Sequence, residues 1–240
     1  MFALKECEAI LQKALDEGRS SLLIQEAQQI CKFHHIPTPV SHVVQNVNEA
    51  VAKGNQIGFP IVLKIISPQI LHKSDVGGVV LGINGEASLK EAYPKLLADV
   101  RKNNPKADIL GVLIEKMMTP STEIIVGGIR DSQFGPSIMF GIGGIFAEVY
   151  QDVAFRVAPI DKIDALNLIH ELRGSKILEG IRGQSPADLD AIVNVLIDVS
   201  SLMWQHSAIS QLDLNPVIAY PDKVCAVDTR IVLAKKDGDV

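Results

Sequence analysis

Residues Lys64 to Gly78 read KIISPQILHKSDVGG. The run Ile61 to Ile66 has strand length and is apolar apart from Lys64, which lies mid-strand. A buried unpaired ammonium is costly, so an interior lysine needs a partner, and a phosphate would serve. The alternative is an outward-pointing lysine on an edge strand. The loop that follows carries His72, Lys73, Asp75, Gly77 and Gly78. Imidazole is a nucleophile able to carry a phosphoryl group. Lysine supplies a point charge for phosphate, and paired glycines let a loop bend where a β-carbon would obstruct it. Together these parts point to phosphoryl transfer through a histidine, and to more than simple nucleotide binding.

Outward from this stretch, the chain alternates helical and extended signals. Helices are expected over about Ala3 to Leu15, from a cap at Ser20 or Ser21 to about His34, over Asn46 to Gln56 and over Glu86 to Arg101. Strands are expected over Val40 to Val44, Ile61 to Ile66 and Val79 to Ile83. After Asn103-Asn104-Pro105 the texture changes to consecutive strands, Ile109 to Met117, Glu123 to Arg130 and Ser137 to Phe140, then glycine-rich Gly141 to Gly144. Helices over Asp161 to Leu172 and Pro186 to Gln205 follow, the second capped by Ser185. Strands Leu212 to Ala219 and Val224 to Val227 close the chain. The reading is α+β (α/β) in two lobes, residues 1–108 and 109–240, with a cleft between them as the usual place for a nucleotide.

With 240 residues, 47% of them hydrophobic, the chain can bury a sizeable core. A formal net charge of −5 gives no electrostatic reason to expect a nucleic-acid partner. No apolar run is long enough for a membrane span, and no basic-then-apolar segment opens the chain. Cys7, Cys31 and Cys225 are scattered without metal-site spacing, which fits a reducing compartment, so a cytoplasmic location is expected. Besides His72, the histidines His34, His35, His42, His170 and His206 read as surface or helix-end residues.

The strings PIVLKIISP, HKSDVGGV, GIGGIFAEVYQDVAFRVAP, LDLNPV and VDTR, in that order, resemble the ATP-grasp superfamily. More narrowly, they are similar to the β subunits of ADP-forming acetyl-CoA synthetases, over roughly Glu17 to Leu233. The resemblance implies a relay in which an acyl-CoA becomes an acyl phosphate on a partner α subunit. The phosphoryl group then passes through a histidine there to His72 and on to Mg-ADP. It also implies a CoA-binding α subunit in an α2β2 heterotetramer, because no strand–GxGxxG–helix unit for CoA stands near either end of this chain.

On the same basis Asp213 orients the phosphorylatable histidine, and Asn215 and Asp228 are the magnesium ligands, an oxygen set of the kind Mg2+ prefers. Lys64 meets nucleotide phosphate, Lys116 to Met118 meet adenine through backbone, and Met117 and Met118 pack on it. Glu123 takes the ribose hydroxyls, with Glu115 an adenine-side neighbour. Arg156 forks onto phosphate, Lys73 and the backbone at Gly77 and Gly78 offset added charge, and Asp75 orients the loop or fixes a ring tautomer. Gly141, Gly143 and Gly144 admit close approach of phosphate or of the His72 loop. Glu148, Asp152 and a basic segment with Arg173, Lys176 and Arg182 stand near without an assigned role. Three other readings remain: a succinyl-CoA synthetase-type β subunit, a carboxylate–amine ligase that needs no His72, and a nucleotide-sensing subunit without turnover.

Overall fold

The computed structural model describes residues 2–144, 151–181 and 185–234. Glu148 and Arg182 lie outside the described residues. The chain forms two compact units, residues 39–119 and residues 1–38 with 120–240.

The smaller unit holds β1 (Ser41–Val44), α3 (Val47–Ile57), β2 (Ile61–Ile66), β3 (Val79–Ile83), α4 (Glu86–Asn103) and β4 (Gly111–Lys116). Its antiparallel sheet runs β1-β4-β2-β3. The Asn46 side chain caps α3, accepting from the Glu49 N–H at 3.0 Å, and its amide donates to the Glu49 carboxylate at 2.7 Å. Every residue of β2 is buried. Ile61, Leu63 and Ile65 join Leu89, Leu96 and Val100 of α4 in one core, so Val62, Lys64 and Ile66 take the other face. β2 is paired on both sides, which removes the edge-strand reading of Lys64.

The larger unit holds α1 (Phe2–Asp16), α2 (Ile24–Phe33), β5 (Thr122–Asp131), β6 (Gly135–Ile142), β7 (Val153–Val157), α5 (Lys162–Glu171), α6 (Leu189–Gln205), β8 (Ile209–Ala219), β9 (Val224–Ala226) and β10 (Thr229–Leu233). Its antiparallel sheet runs β10-β8-β5-β6-β7, with β9 on β8. One core joins α1, α2, α5 and α6 to a single sheet face through Leu11, Ile30, Leu168, Leu196, Phe140 and Leu214.

The observed division differs from the expected 1–108 and 109–240. β4 inserts between β1 and β2, with Ile61 opposite Lys116 and Ile66 opposite Gly111, so the chain stays in the smaller unit to Thr119. The first two helices belong to the far sheet, where Leu22 N–H donates to the Ile231 carbonyl at 3.0 Å. Both are long-range pairings that local periodicity does not encode. Helix α6 starts at Leu189, and its cap is Asp188, which accepts from the Ala191 N–H at 2.9 Å. Ser185 and Pro186 precede it, outside the helix. Helix α2 is closed at its start by Glu26, whose carboxylate accepts from the Leu23 N–H, while Ser21 instead bridges to Val232. Strands β7 and β10 are additions to the sequence reading.

Candidate functional site

In the smaller unit, the register Val62 opposite Glu115 and Lys64 opposite Leu113 sets Lys64 and Glu115 diagonally on one sheet face. Lys64 Nζ lies 2.6 Å from Glu115 Oε1, with Lys64 5% exposed and Glu115 fully buried. The partner that burial demands for Lys64 is therefore supplied by the fold itself. Glu115, expected beside adenine, is the counter-ion of Lys64.

Beyond β2 the chain turns through Ser67 to Gln69. Gln69 is tied to Asp108, accepting from its N–H at 3.0 Å, and Ile70 plugs into the core. Leu71 and His72 are then exposed, ahead of a 3-10 turn at Ser74–Val76. Gly77 ends that turn with φ +71°, and its N–H donates to the Ser74 carbonyl. Gly78 N–H donates to the Lys73 carbonyl at 2.7 Å, and its own carbonyl accepts from Ile65 N–H at 2.8 Å. A β-carbon on Gly78 would stand 2.6 Å from Ile65 Cγ2. The paired glycines thus serve shape and close approach in this structure. They clamp one end of the loop, Ile70 anchors the other, and His72 is held out between them. Asp75 is exposed on the turn.

Lys116 Nζ donates to the carbonyls of Gly58 and Phe59, both at 2.9 Å, so this side chain braces the turn into β2. The N–H groups of Lys116 and Met117 donate to the carbonyls of Val40 and Pro60. Two of the backbone donors expected to face adenine are thus engaged within the sheet. Met117 and Met118 follow β4 half-buried.

In the larger unit, β8 alternates buried Leu212 and Leu214 with exposed Gln211, Asp213 and Asn215. Asp213 stands opposite Arg230 of β10 and opposite Gly127 of β5. Leu214 pairs with Thr229, and Val227 N–H donates to the Pro216 carbonyl at 2.9 Å, so the same register sets Asn215 opposite Asp228. The structure therefore brings Asp213, Asn215 and Asp228 together, on the sheet face away from the helices. There a cavity of about 280 Å³ is lined by Gly127, Met139, Phe155, Gln211, Asp213 and Arg230.

Asp213 is solvent-accessible yet recessed among these groups. Loss of hydration raises its pKa, and the negative charge of Asp228 adds to the rise, while Arg230 opposes it. Arg230 Nε is buried without a hydrogen-bond partner among the described residues. A buried guanidinium N–H left over beside these carboxylates is a donor that the described residues do not satisfy. The sequence reading passed over Arg230, although it stood in the quoted VDTR string. Its importance follows from the β8–β10 register, which a single sequence does not reveal.

Other expected residues divide differently. Glu123 is exposed on β5. Gly143 N–H donates to the Glu123 carbonyl at 2.8 Å, and a β-carbon on Gly143 would lie 2.9 Å from that backbone, so Gly143 permits close packing against β5. Gly144 has φ +65° in the turn after β6. Arg156 does not join Asp213. It pairs with Ile138, a core residue, and so lies on the helix-bearing face, where its guanidinium meets Glu171 at 2.8 Å. Asp152 accepts from the N–H groups of Arg173 and Gly174, a structural clasp.

Comparison with known proteins agrees with the resemblance read from the sequence. A family model described as ATP-grasp domain matches residues 13–233. The β subunit of acetate–CoA ligase [ADP-forming] I from Pyrococcus furiosus is 43% identical over 233 residues, covering 97% of this chain and 100% of that one. Acetate–CoA ligase [ADP-forming] I of Archaeoglobus fulgidus is 41% identical over 97% of this chain, which spans 34% of that longer protein. Acetyl-coenzyme A synthetase 1 of Ca. Korarchaeum cryptofilum, solved with coenzyme A, Ca-AMPCP and HgCl+, superposes with TM-score 0.92 at 43% identity, covering 94% of this chain and 99% of that one. A second structure of that synthetase, with coenzyme A and Mg-AMPPCP, has its phosphohistidine segment pointing towards the nucleotide-binding site (TM-score 0.84, 40% identity, 95% and 100% covered). A chain that matches an ADP-forming acetate–CoA ligase β subunit from end to end, with an ATP-grasp domain spanning nearly all of it, belongs to the ATP-grasp family and, within it, to the β subunits of the ADP-forming acetate–CoA ligases.

Proposed function

We propose that this chain is the nucleotide-binding β subunit of an ADP-forming acetyl- or acyl-CoA synthetase. The enzyme reversibly converts acyl-CoA, ADP and phosphate to carboxylic acid, ATP and CoA through a phosphohistidine relay. The observation that carries this reading is His72, exposed on a loop that is pinned at both ends. Such a residue is reachable by a phosphoryl donor and held for in-line transfer.

The His72 imidazole attacks the phosphoryl group carried by a histidine of a partner α subunit, forming one N–P bond as the donor N–P bond breaks. A terminal oxygen of ADP then attacks phosphorus, and His72 leaves with its electron pair. By the family resemblance, Asp213 is the carboxylate that would orient the phosphorylatable histidine and stabilise its cationic form during transfer. Arg230 faces the phosphoryl oxygens with its fork. Lys64 has three donors, so pairing with Glu115 is compatible with a further bond to nucleotide phosphate. Glu123 takes the ribose hydroxyls, and Met117 and Met118 pack at adenine.

Asn215 and Asp228 would hold Mg2+. An amide oxygen and a carboxylate meet that ion's preference for oxygen ligands, and a bound Mg2+ offsets phosphate charge. The loop groups Lys73, Asp75, Gly77 and Gly78 shape the presentation of His72, and Gly143 and Gly144 shape the segment after β6.

The acyl and CoA chemistry belongs to a CoA-binding α subunit, in an α2β2 assembly. The Archaeoglobus relative, about three times as long as this chain by its 34% coverage, supports a separate half for that chemistry. Among the described residues no helix is long and apolar enough to cross a membrane, and all three cysteines are buried. A cytoplasmic place for the assembly is part of the proposal.

The test is reconstitution. This chain alone should bind Mg-ADP without turning over acetyl-CoA. Adding the α subunit of an ADP-forming acetate–CoA ligase should yield ATP from acetyl-CoA, ADP and phosphate. Turnover by the chain alone, or no ATP from a mixture whose α subunit is active with its own partner, contradicts the reading.

A further inference from the structure

Remote from the β8–β10 carboxylates in sequence, helices α1, α2 and α6 of the larger unit bring together three ligand side chains. Cys7 comes from α1, His34 follows the last turn of α2, and His206 follows the last turn of α6. One ligand atom from each, a thiol sulfur and two ring nitrogens, lie within 4.8 Å of one another. His34 Nε2 and His206 Nε2 are 3.0 Å apart, and the rings meet edge to face at 84°. The sequence reading gave both histidines as surface or helix-end residues, and both stand at helix ends. Cys7 is fully buried and His206 is 4% exposed.

Tetrahedral zinc, with Zn–N of about 2.0–2.1 Å and Zn–S of about 2.3 Å, sets its ligand atoms roughly 3.3–3.8 Å apart. The His34–His206 contact is a few tenths of an ångström short of that scale, and the Cys7 sulfur, within 4.8 Å of both ring nitrogens, would close on the ion by about 1 Å at most. The backbone around the ligands is held. The His206 carbonyl accepts from the Arg130 guanidinium at 3.0 Å and from Ile209 N–H at 3.1 Å. His34 N–H donates to the Ile30 carbonyl at 3.1 Å. A surface cavity of about 580 Å³, lined by Glu8, Gln12, Gln205 and His206 among others, borders the cluster on its His206 side.

We propose that Cys7, His34 and His206 form a binding site for a zinc-class divalent transition metal, with a fourth position open to that cavity. Sulfur and imidazole select such an ion over Mg2+, which demands oxygen ligands, so this site is chemically separate from the nucleotide chemistry. The metal would tie α1 to the ends of α2 and α6. Burial, followed by the neighbouring His206 and His35, pushes His34 down to about 4, so its ring is neutral at pH 7 with a lone pair to offer. Metal binding at Cys7 would displace the thiol proton.

The test is a Co2+ titration of the purified full chain in excess Mg2+ and without nucleotide, followed by absorption. One equivalent should bind with a cobalt–thiolate charge-transfer band, and Zn2+ should abolish the band by competition. Cys7→Ser should lose the band while Cys31 and Cys225 remain. His34→Gln and His206→Gln should each weaken binding at least tenfold. One equivalent of Zn2+ should raise the thermal midpoint of the wild type and leave that of Cys7→Ser unchanged. No thiolate band from wild-type protein overturns the proposal whatever the variants do, and so does a band that survives Cys7→Ser in folded protein.

Discussion

Two groups of charged residues use opposite solutions. Lys64 and Glu115 are one cation and one anion, sealed inside the smaller unit at 2.6 Å. Asp213, Asp228 and Arg230 put two like charges beside one cation on a solvent-accessible sheet face, with Arg230 Nε unpartnered. The first arrangement is internally balanced. The second is left wanting a ligand, and imbalance of that kind is where chemistry is usually found. The contrast separates a pair whose charges the fold matches from a cluster whose charges it leaves unmatched.

Asp213→Asn should break the contrast most sharply. Activity of the reconstituted enzyme should fall by about 10²–10⁴-fold, the usual scale for a group assisting proton placement. Stability should move the other way. A carboxylate whose folded pKa is raised binds more protons folded than unfolded, so its stabilising effect is present at low pH and is lost as pH rises through the raised value. At neutral pH the ionised Asp213 opposes folding, and the asparagine variant should melt at the same temperature or higher. Calorimetry beside the ATP-forming assay reads both effects.

Glu115→Ala should show the reverse pattern in structure. It strands a buried ammonium and should lower stability by about 3–5 kcal/mol, measured by denaturant unfolding. The double variant Lys64→Met, Glu115→Leu sharpens the comparison. Replacing both partners by apolar groups should recover most of that loss, while Mg-ADP affinity, read by calorimetric titration, should stay below wild type, as the proposed contact of Lys64 with nucleotide phosphate requires.

Much of this was legible in the chain, and the reasons for success and failure are physical. The helix over Val47–Ile57 was announced by Asn46, and the strand over Ile61–Ile66 by its apolar run, because both signals are local. The order of HKSDVGG before LDLNPV pointed to the family that the comparisons with known proteins show, and the family resemblance proposed the histidine and the carboxylates together. What local signals lacked was pairing. Nothing in the sequence says that β4 lies between β1 and β2, so Glu115 could not be matched to Lys64. Strand β10 was missed, and Arg230 with it. Arg156 drew attention as a conspicuous cation, yet the β6–β7 register turns it to the helix-bearing face. Cys7, His34 and His206 are separated too widely along the chain to show metal-site spacing.

Smaller effects complete the test. Gly143→Ala places a β-carbon 2.9 Å from the Glu123 backbone and should cost about 1–3 kcal/mol, with little change in nucleotide affinity beyond that loss. Arg156→Ala should be nearly silent. Its partly exposed pair with Glu171 contributes about 0–1 kcal/mol, and ATP formation should stay at the wild-type level. A large loss of activity there would reinstate Arg156 as a phosphate ligand.

The central claim is that His72 carries the phosphoryl group, and direct labelling tests it best. Wild type and His72→Ala would each be incubated with the α subunit, Mg2+ and γ-labelled ATP, then separated and treated with acid or alkali. The account predicts an acid-labile, alkali-resistant label on wild-type chain and none on His72→Ala. Equal labelling of both chains, or an unlabelled wild type that still binds Mg-ATP, would contradict it.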